Sequence, residues 1–197
     1  MQSIHENIKE YILKTARGIL LFPEDFNSLG SSEAVRLALH RLEKENTITR
    51  ISQGIYVRPV ISQYIGEVLP SAEEVAKGIA KRDRVKIVPT GVYALNALGL
   101  STQVPLNLVY LTDGAPRTIR IGKRTIKFKK TTPKNLLAKG EISSLAIQAL
   151  REIGIDKITA DEEKKIIEVL KKENQTNLLH DIQLAPVWIK KIMQKAL

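Results

Sequence analysis

Apolar residues at helical spacing open the chain. Ile4, Ile8, Tyr11 and Ile12 recur at intervals of three and four residues, the spacing at which side chains share one face of an α-helix. The pattern predicts a helix over about residues 3–17, ended by the glycine that follows.

Two more helices are predicted before residue 45. Pro23 suits the first position of a short helix, where its missing N–H is not needed. Ser31 or Ser32 offers an N-cap for a third helix that runs to about Lys44. This helix has an apolar face and a polar face. The apolar face consists of Val35, Ala38, Leu39 and Leu42, and the other face of Glu33, Arg36, Leu37, His40, Arg41 and Lys44.

The pattern changes from helical to alternating after Asn46. Two runs rich in β-branched residues, 47–51 and 55–59, flank Ser52-Gln53-Gly54, which predicts a β-hairpin. Helix, short helix, helix and hairpin in succession is the order of a winged helix-turn-helix. We therefore predict a DNA-binding domain of this kind at residues 1–60, followed by a loosely structured linker at residues 60–70.

Short helices and strands alternate through the middle of the chain. Ser71 and Glu74 form a capping-box pattern at the start of one helix, and Pro89-Thr90-Gly91 is a turn signal before a helix of small residues. The predicted elements are a helix at 71–83, a strand at 85–88, a helix at 92–98 and a strand at 104–112.

A second hairpin is predicted at residues 117–130, because polar and apolar residues alternate on both sides of Gly122-Lys123. Its apolar face contains Ile119, Ile121, Ile126 and Phe128. The segment has no acidic residue, and its cations form a basic patch of Arg117, Arg120, Lys123, Arg124, Lys127, Lys129 and Lys130. Such a patch attracts phosphates or an acidic partner, although a basic run often simply faces water.

Helical patterns return after Pro133. The fold class predicted from all these elements is α+β, with an N-terminal winged helix-turn-helix and a mixed α/β domain at residues 70–197 that has a small sheet and C-terminal helices. The last helices are predicted from Ser143 or Ser144 to Ile153, from about Asp161 to Lys172, and from Pro186 through Met193.

Composition narrows the class of protein. The chain has 197 residues, 43% of them hydrophobic, enough for one large domain or two small ones. It has no cysteine, which excludes disulfides, thiolate metal sites and cysteine nucleophiles. The longest apolar run, Gly18–Phe22, is far shorter than the roughly 20 residues of a membrane-spanning helix. We expect a globular cytoplasmic protein.

The positive charge is unevenly distributed. Lysine and arginine number 31 against 21 acidic residues, for a net charge of +10. The excess is one charge in residues 1–60, seven in residues 61–133 and two in residues 134–197. The middle of the chain therefore has the strongest attraction for a polyanion or an acidic protein.

The sequence offers little for catalysis. Its three histidines, His5, His40 and His180, are far apart, and no metal-ligand spacing joins them. No glycine-rich phosphate loop occurs. One pattern faintly resembles a nucleotidyltransferase site, namely Gly30-Ser31 followed by Glu43 and Glu45. However, two carboxylates that lie two residues apart at a helix end point to different sides of the helix. We expect no enzymatic activity, no cofactor and no metal.

A winged helix-turn-helix reads DNA through its third helix and adds backbone contacts from the wing. On the third helix Arg36 is suited to a guanine, and the serines at the helix start to a phosphate. The predicted DNA-binding residues are Ser31, Ser32, Glu33, Arg36, His40 and Arg41 on or beside this helix, and Arg50, Ser52, Gln53 and Arg58 on the hairpin.

Five segments resemble the AbiEi-type antitoxins of bacterial type IV toxin–antitoxin, or abortive infection, systems. Residues 25–30, 34–42 and 51–57 are similar to the N-terminal winged helix of that family. Residues 89–100 and 107–112 are similar to its second domain, in which a helix of small residues precedes a strand. The resemblance covers roughly residues 5–130. Its motifs are moderately specific, because many regulators share the winged-helix part alone, and the conjunction of both parts carries the resemblance.

This resemblance implies a non-enzymatic antitoxin that represses its own promoter and counters a nucleotidyltransferase toxin. Its partners would be double-stranded DNA and that toxin. After residue 130 the chain departs from the family, because Ile142–Leu150 replaces the expected Arg-Thr-x-x-Asp helix. The alternative function is that of a protein-interaction module, which docks an acidic partner through the basic hairpin without specific DNA binding.

Overall fold

The computed structural model describes residues 3–197. The protein has a mixed α+β fold, and the chain divides into two compact units. One extends to Gly78 and includes Arg120–Gly122, and the other comprises Ile79–Ile119 and Lys123–Leu197.

The first unit begins with two helices and a short 3-10 helix. Their bounds are α1 at Ile4–Lys14, a short strand β1 at Leu20–Leu21, the 3-10 helix at Pro23–Phe26 and α2 at Ser32–Lys44. The Oγ of Ser31 accepts a hydrogen bond from the N–H of Ala34, which caps α2 as predicted. Helix α1 is shorter than expected, because the backbone is already extended at Thr15.

A three-stranded antiparallel sheet combines β1 with two strands that follow α2. Strands β2, Thr49–Ser52, and β3, Ile55–Val57, form the predicted hairpin. The sheet order is β1-β3-β2, since Leu20 and Leu21 pair with Val57 and Tyr56. Helices and sheet enclose one core of Ile8, Ile12, Leu21, Phe26, Val35, Ala38, Leu39, Leu42, Ile48 and Tyr56.

The predicted linker at residues 60–70 is wrong. This segment is a second hairpin, with β4 at Val60–Ser62 paired to β5 at Gly66–Val68. Gly66 adopts a φ of +76° at the turn, a conformation that glycine accepts without a steric penalty. Pro59 and Pro70 lie just outside the paired residues. The two prolines therefore flank the hairpin, and Gly66 forms its turn. Helix α3, Ala72–Asp83, comes next.

A four-stranded sheet has the strand order β6-β7-β9-β8. Strand β7 is antiparallel to β6 and parallel to β9. The bounds are β6 at Ile87–Thr90, helix α4 at Val92–Ala97, β7 at Asn107–Thr112, β8 at Arg117–Ile121 and β9 at Arg124–Lys130. Strand β6 was predicted at 85–88 but continues through Pro89, which is tolerated because β6 is an edge strand.

Four helices complete the second unit after a 3-10 turn at Pro133–Leu136. They are α5 at Glu141–Ile153, α6 at Ala160–Leu170, α7 at Gln175–Ile182 and α8 at Val187–Gln194. They share a core with α4, which includes Ala94, Ala146, Leu150, Leu170, Ile189 and Met193. Helix α7, capped by Asn174, was not predicted.

The predicted cap of α5 is also wrong. The helix begins two residues before Ser143, which is fully buried inside it, and its N-cap is Gly140. Among residues 3–197, no helix combines the length and the apolar character needed to cross a membrane.

Candidate nucleic-acid interface

Helix α2 has one buried and one exposed face. Val35, Leu39 and Leu42 are completely buried in the core of the first unit. Arg36 and Arg41 are exposed on the other side of the helix. Because apolar contacts fix this orientation, the basic face is held toward solvent by the fold itself.

The N-terminus of α2 is open to solvent. Ser31, Ser32 and Glu33 are exposed, and the hydroxyl of Ser31 serves the N–H of Ala34. Free N–H groups at a helix start attract anions, whereas the carboxylate of Glu33 opposes them. His40, one turn beyond Arg36, is also exposed and lies 3.8 Å from a carboxylate oxygen of Glu43.

The hairpin β2–β3 carries the remaining predicted contacts of this unit. The Nε of Arg50 donates a hydrogen bond of 3.4 Å to the carbonyl oxygen of Ser52, across a β-bulge between these two residues. Gln53 is exposed at the turn, where Gly54 has a φ of +69°.

Arg58 has a structural role that the sequence did not reveal. Its Nη1 donates to the carbonyl oxygens of Leu13 (2.7 Å) and Thr15 (3.2 Å) at the C-terminal end of α1. These are the carbonyls that a helix end leaves without partners. Arg58 therefore joins the hairpin to α1, and a phosphate contact would use its other N–H groups.

Glu45 belongs to an ion-pair cluster rather than to a metal site. Its carboxylate contacts Nζ of Lys9 at 2.9 Å and Nε2 of His5 at 3.2 Å. The hydrogen bond to Lys9 is the main cause that lowers the pKa of Glu45, and it raises the pKa of Lys9. Within residues 3–197, no three histidine or acidic side chains are grouped so that they would hold a metal ion.

The basic patch divides into one embedded cation and several exposed ones. Arg117 is two-thirds buried, forms an ion pair with Asp83, and lies 5.4 Å from the ring centre of Phe128. Its desolvation lowers the pKa of this guanidinium. The exposed members are Arg120, Lys123, Arg124, Lys127, Lys129 and Lys130. In the described part of the chain, none of these six forms an ion pair.

Strand β9 has the two faces that the alternation predicted. Ile126 and Phe128 are buried, and Lys127 and Lys129, which alternate with them along the strand, are exposed. Arg124 and Lys130 are exposed at the two ends of the strand. Alternate residues of a strand lie on the same face about 6.5 Å apart, so Lys127 and Lys129 offer two neighbouring cations to one partner.

The hairpin β4–β5 is the feature that sequence reasoning missed. Tyr64 and Ile65 at its turn are 94% and 75% exposed, and Ile61 on β4 is more than half exposed. The sequence does contain a pattern that predicts this hairpin. Two short runs with β-branched residues, Val60-Ile61 and Gly66-Glu67-Val68, flank a short polar and aromatic segment.

The fold and these surfaces define a mixed α+β protein with exposed basic elements in both units. The sequence matches the model of DUF6088, a family of unknown function, over residues 7–178. The chain belongs to this family. A search of curated proteins finds no match to the sequence.

Proposed function

We propose that this chain is a DNA-binding transcriptional autorepressor whose first unit is a winged helix-turn-helix. Its elements follow the order α1, β1, 3-10 helix, α2, β2, β3, and the sheet order is β1-β3-β2. A helix followed by a two-stranded wing is the arrangement with which such domains enter the major groove and touch the backbone beside it.

One observation carries the proposal: α2 has a fully buried apolar face and an opposite face that exposes Arg36 and Arg41. An arginine projecting from a rigid helix donates two hydrogen bonds to the O6 and N7 of a guanine. Arg50 on the wing and the open N-terminus of α2 would hold phosphates. Different residues are therefore proposed for the contacts to bases and for the contacts to the DNA backbone.

We expect Arg36→Ala to weaken binding to the DNA upstream of the chain's own gene by about 1–3 kcal/mol, because a bidentate contact to one base is worth that much. A fluorescence titration with this DNA and with a scrambled duplex measures the loss. Since Arg36 is exposed, thermal melting should stay unchanged.

Lys165→Ala is the matched control, because it removes the same charge from an exposed position on α6. It should leave the discrimination between the two duplexes intact. Equal losses in both variants, or an unchanged affinity of Arg36→Ala, would contradict a base-reading role for α2.

The second part of the proposal is antitoxin activity of the AbiEi type against a nucleotidyltransferase toxin. It rests on the resemblance of residues 5–130 to that family, and on the exposed cations of β9, which are available to a second macromolecule. We expect a nucleotidyltransferase gene beside the gene of this chain. Co-expression of the two proteins should restore growth that the nucleotidyltransferase alone prevents.

The exposed cations of β9 also favour a second candidate function, a module that docks an acidic protein without reading DNA. Lys127 and Lys129 have no acidic neighbour within ion-pair distance among the described residues. Charge complementarity of this kind accelerates association and selects partners. In that case Arg36→Ala would change nothing, and reversal of the β9 charges would abolish the interaction.

A further inference from the structure

A cavity of about 580 Å³ lies within the second unit. It is bounded by the turn at residues 90–92, by residues 103–107 at the entry to β7, and by Val109 of that strand. Lys129 of β9 and Glu152 of α5 complete its lining. Sites for small molecules typically have volumes of roughly 300–1,000 Å³, so the cavity has the size of a ligand site.

The register of the four-stranded sheet explains why these residues meet. Thr90 on β6 pairs with Val109 on β7, and Leu111 on β7 pairs with Lys129 on β9. Paired residues lie on the same face of a sheet, and so do alternate residues of one strand. The strands therefore hold Thr90, Val109 and Lys129 on one face.

Lys129 and Glu152 bring opposite charges to this cavity without pairing. Both side chains are exposed, and in the described part of the chain neither belongs to an ion pair. A Cβ at Gly91 would lie 3.6 Å from Oε2 of Glu152, so the missing side chain of this glycine leaves room beside the carboxylate. One ligand with a carboxylate and an ammonium group would satisfy both charges with charge-assisted hydrogen bonds.

The same cavity has an apolar wall. Val104 and Leu106 line it and are 64% and 62% exposed. Covering such side chains with an apolar group is favourable in proportion to the area removed from water. A nucleic acid does not fit this lining, because the carboxylate of Glu152 repels phosphates and the wall offers them no donor.

We propose that this cavity binds a small zwitterion with an apolar side chain, a free amino acid or a dipeptide. The ammonium group of Lys129 donates to the carboxylate of the ligand, and the carboxylate of Glu152 accepts from its ammonium group. Val104 and Leu106 cover the apolar side chain. An ion of a single sign gains one of the two charged contacts and meets one repelling charge.

Isothermal titration calorimetry of the full chain with L-leucine and with L-leucyl-L-leucine tests the inference. At least one of the two should bind, and the tighter one distinguishes an amino-acid site from a dipeptide site. The N-acetyl derivative of that ligand lacks the ammonium group, and its amide lacks the carboxylate. Each derivative should bind about tenfold more weakly or less, because it loses one charge-assisted hydrogen bond.

Two variants assign the two charges. Glu152→Gln should weaken the zwitterion about tenfold but leave the affinity of the N-acetyl derivative no lower than in the wild type. Lys129→Gln should do the same for the zwitterion and the amide. The matched controls are Lys127→Gln, on the same face of β9 but outside the cavity lining, and Glu141→Gln at the other end of α5. Both controls should bind like the wild type.

Three results would overturn the inference. They are no binding of either zwitterion at millimolar concentration, a derivative that binds as tightly as its parent, and equal losses in the variants and their controls. All four substituted side chains are exposed, so thermal melting should show folded proteins in each case.

The inference does not depend on DNA binding, and the two fail separately. A chain that binds no zwitterion but loses DNA affinity in Arg36→Ala overturns only the cavity. A chain that binds the zwitterion while Arg36→Ala leaves DNA affinity unchanged overturns only the reading helix.

Discussion

At the scale of single residues, two carboxylates organise the start of α5. Asp181, completely buried, accepts hydrogen bonds from the N–H groups of Lys139 (2.9 Å) and Gly140 (2.8 Å). Glu173 accepts from the N–H groups of Ile142 and Ser143. The N-cap Gly140 has no side chain of its own, so acids distant in the sequence do the work of a cap.

Asp181→Ala should lower the free energy of unfolding by about 2–4 kcal/mol, because the buried N–H of Gly140 and the part-buried N–H of Lys139 lose their acceptor. Urea denaturation followed by circular dichroism measures this loss. Asp156→Ala, at an exposed acid of the same unit, serves as the control and should cost little. Similar midpoints for the two variants would mean that α5 does not need this cap.

These caps are beyond sequence reasoning for a physical reason. Asp181 is about forty residues from the N–H groups that it serves, and its neighbours give no sign of burial. Ser143, by contrast, follows the usual pattern for a cap but is buried inside α5, with an Oγ that lacks a hydrogen-bond partner among the described atoms. The preference for serine at a helix N-cap predicts Ser143, whereas in the structure Asp181 and Glu173 accept the hydrogen bonds at the start of α5.

At the scale of elements, α1 and α2 are joined by the pair Lys9 and Glu45. The two groups form an exposed ion pair of 2.9 Å. Such pairs contribute little stability each, but their pKa shifts fix the pH at which the contribution disappears. The pKa of Glu45 is lowered, and that of Lys9 is raised.

The stability that comes from this pair should be present at neutral pH and lost at both extremes. It disappears in acid as Glu45 is protonated, below the ordinary pKa of 4.5, and in alkali as Lys9 is deprotonated, above 10.5. Denaturation midpoints of the wild type and Glu45→Gln should therefore differ at pH 7, and the difference should shrink as the pH falls below 4.5. A difference that stays constant as the solution is acidified would assign the effect to packing instead.

The elements that sequence reasoning predicted well are those with strong local patterns. Helix α2 combines a serine cap with an apolar stripe, and β8–β9 alternates cleanly around Gly122. The hairpin β4–β5 was missed because its glycine and prolines were interpreted as linker residues. Helix α7 was missed because its eight residues contain few apolar positions and its packing depends on neighbouring helices.

The candidate site was predictable in its residue types but not in their environments. Arg36 and Arg41 are exposed as expected. Arg58 and Arg117 have the same charge, yet each has partners within the protein. The contacts of Arg58 with the end of α1 and of Arg117 with Asp83 form only in the folded chain. A count of charges along the sequence therefore does not distinguish arginines with a structural partner from exposed ones.

At the scale of the whole molecule, the question is whether the exposed cations of β9 would extend the footprint of the DNA binding proposed above. We expect Lys127→Glu with Lys129→Glu to weaken DNA binding and to flatten its salt dependence by about one unit of slope for each lost phosphate contact. Titrations at several salt concentrations measure both quantities. Because both lysines are exposed, melting should change little.

Reversal of Lys164 and Lys165, two exposed lysines on α6, is the matched control for total charge. An equal loss in both double variants would indicate a general effect of net charge. If DNA binding is retained but growth is no longer restored against the nucleotidyltransferase, β9 serves the protein partner.

The outer strands of the four-stranded sheet differ from the hairpin β4–β5 in their resistance to aggregation. The edge strand β6 contains Pro89, which has no N–H to offer an incoming strand. The other edge strand, β8, carries Arg117 and Arg120, and charge on an edge also discourages pairing. Strands β4 and β5 contain no proline, and their only charge is Glu67. In concentrated or partly denatured samples, irreversible self-assembly should therefore begin at residues 60–68.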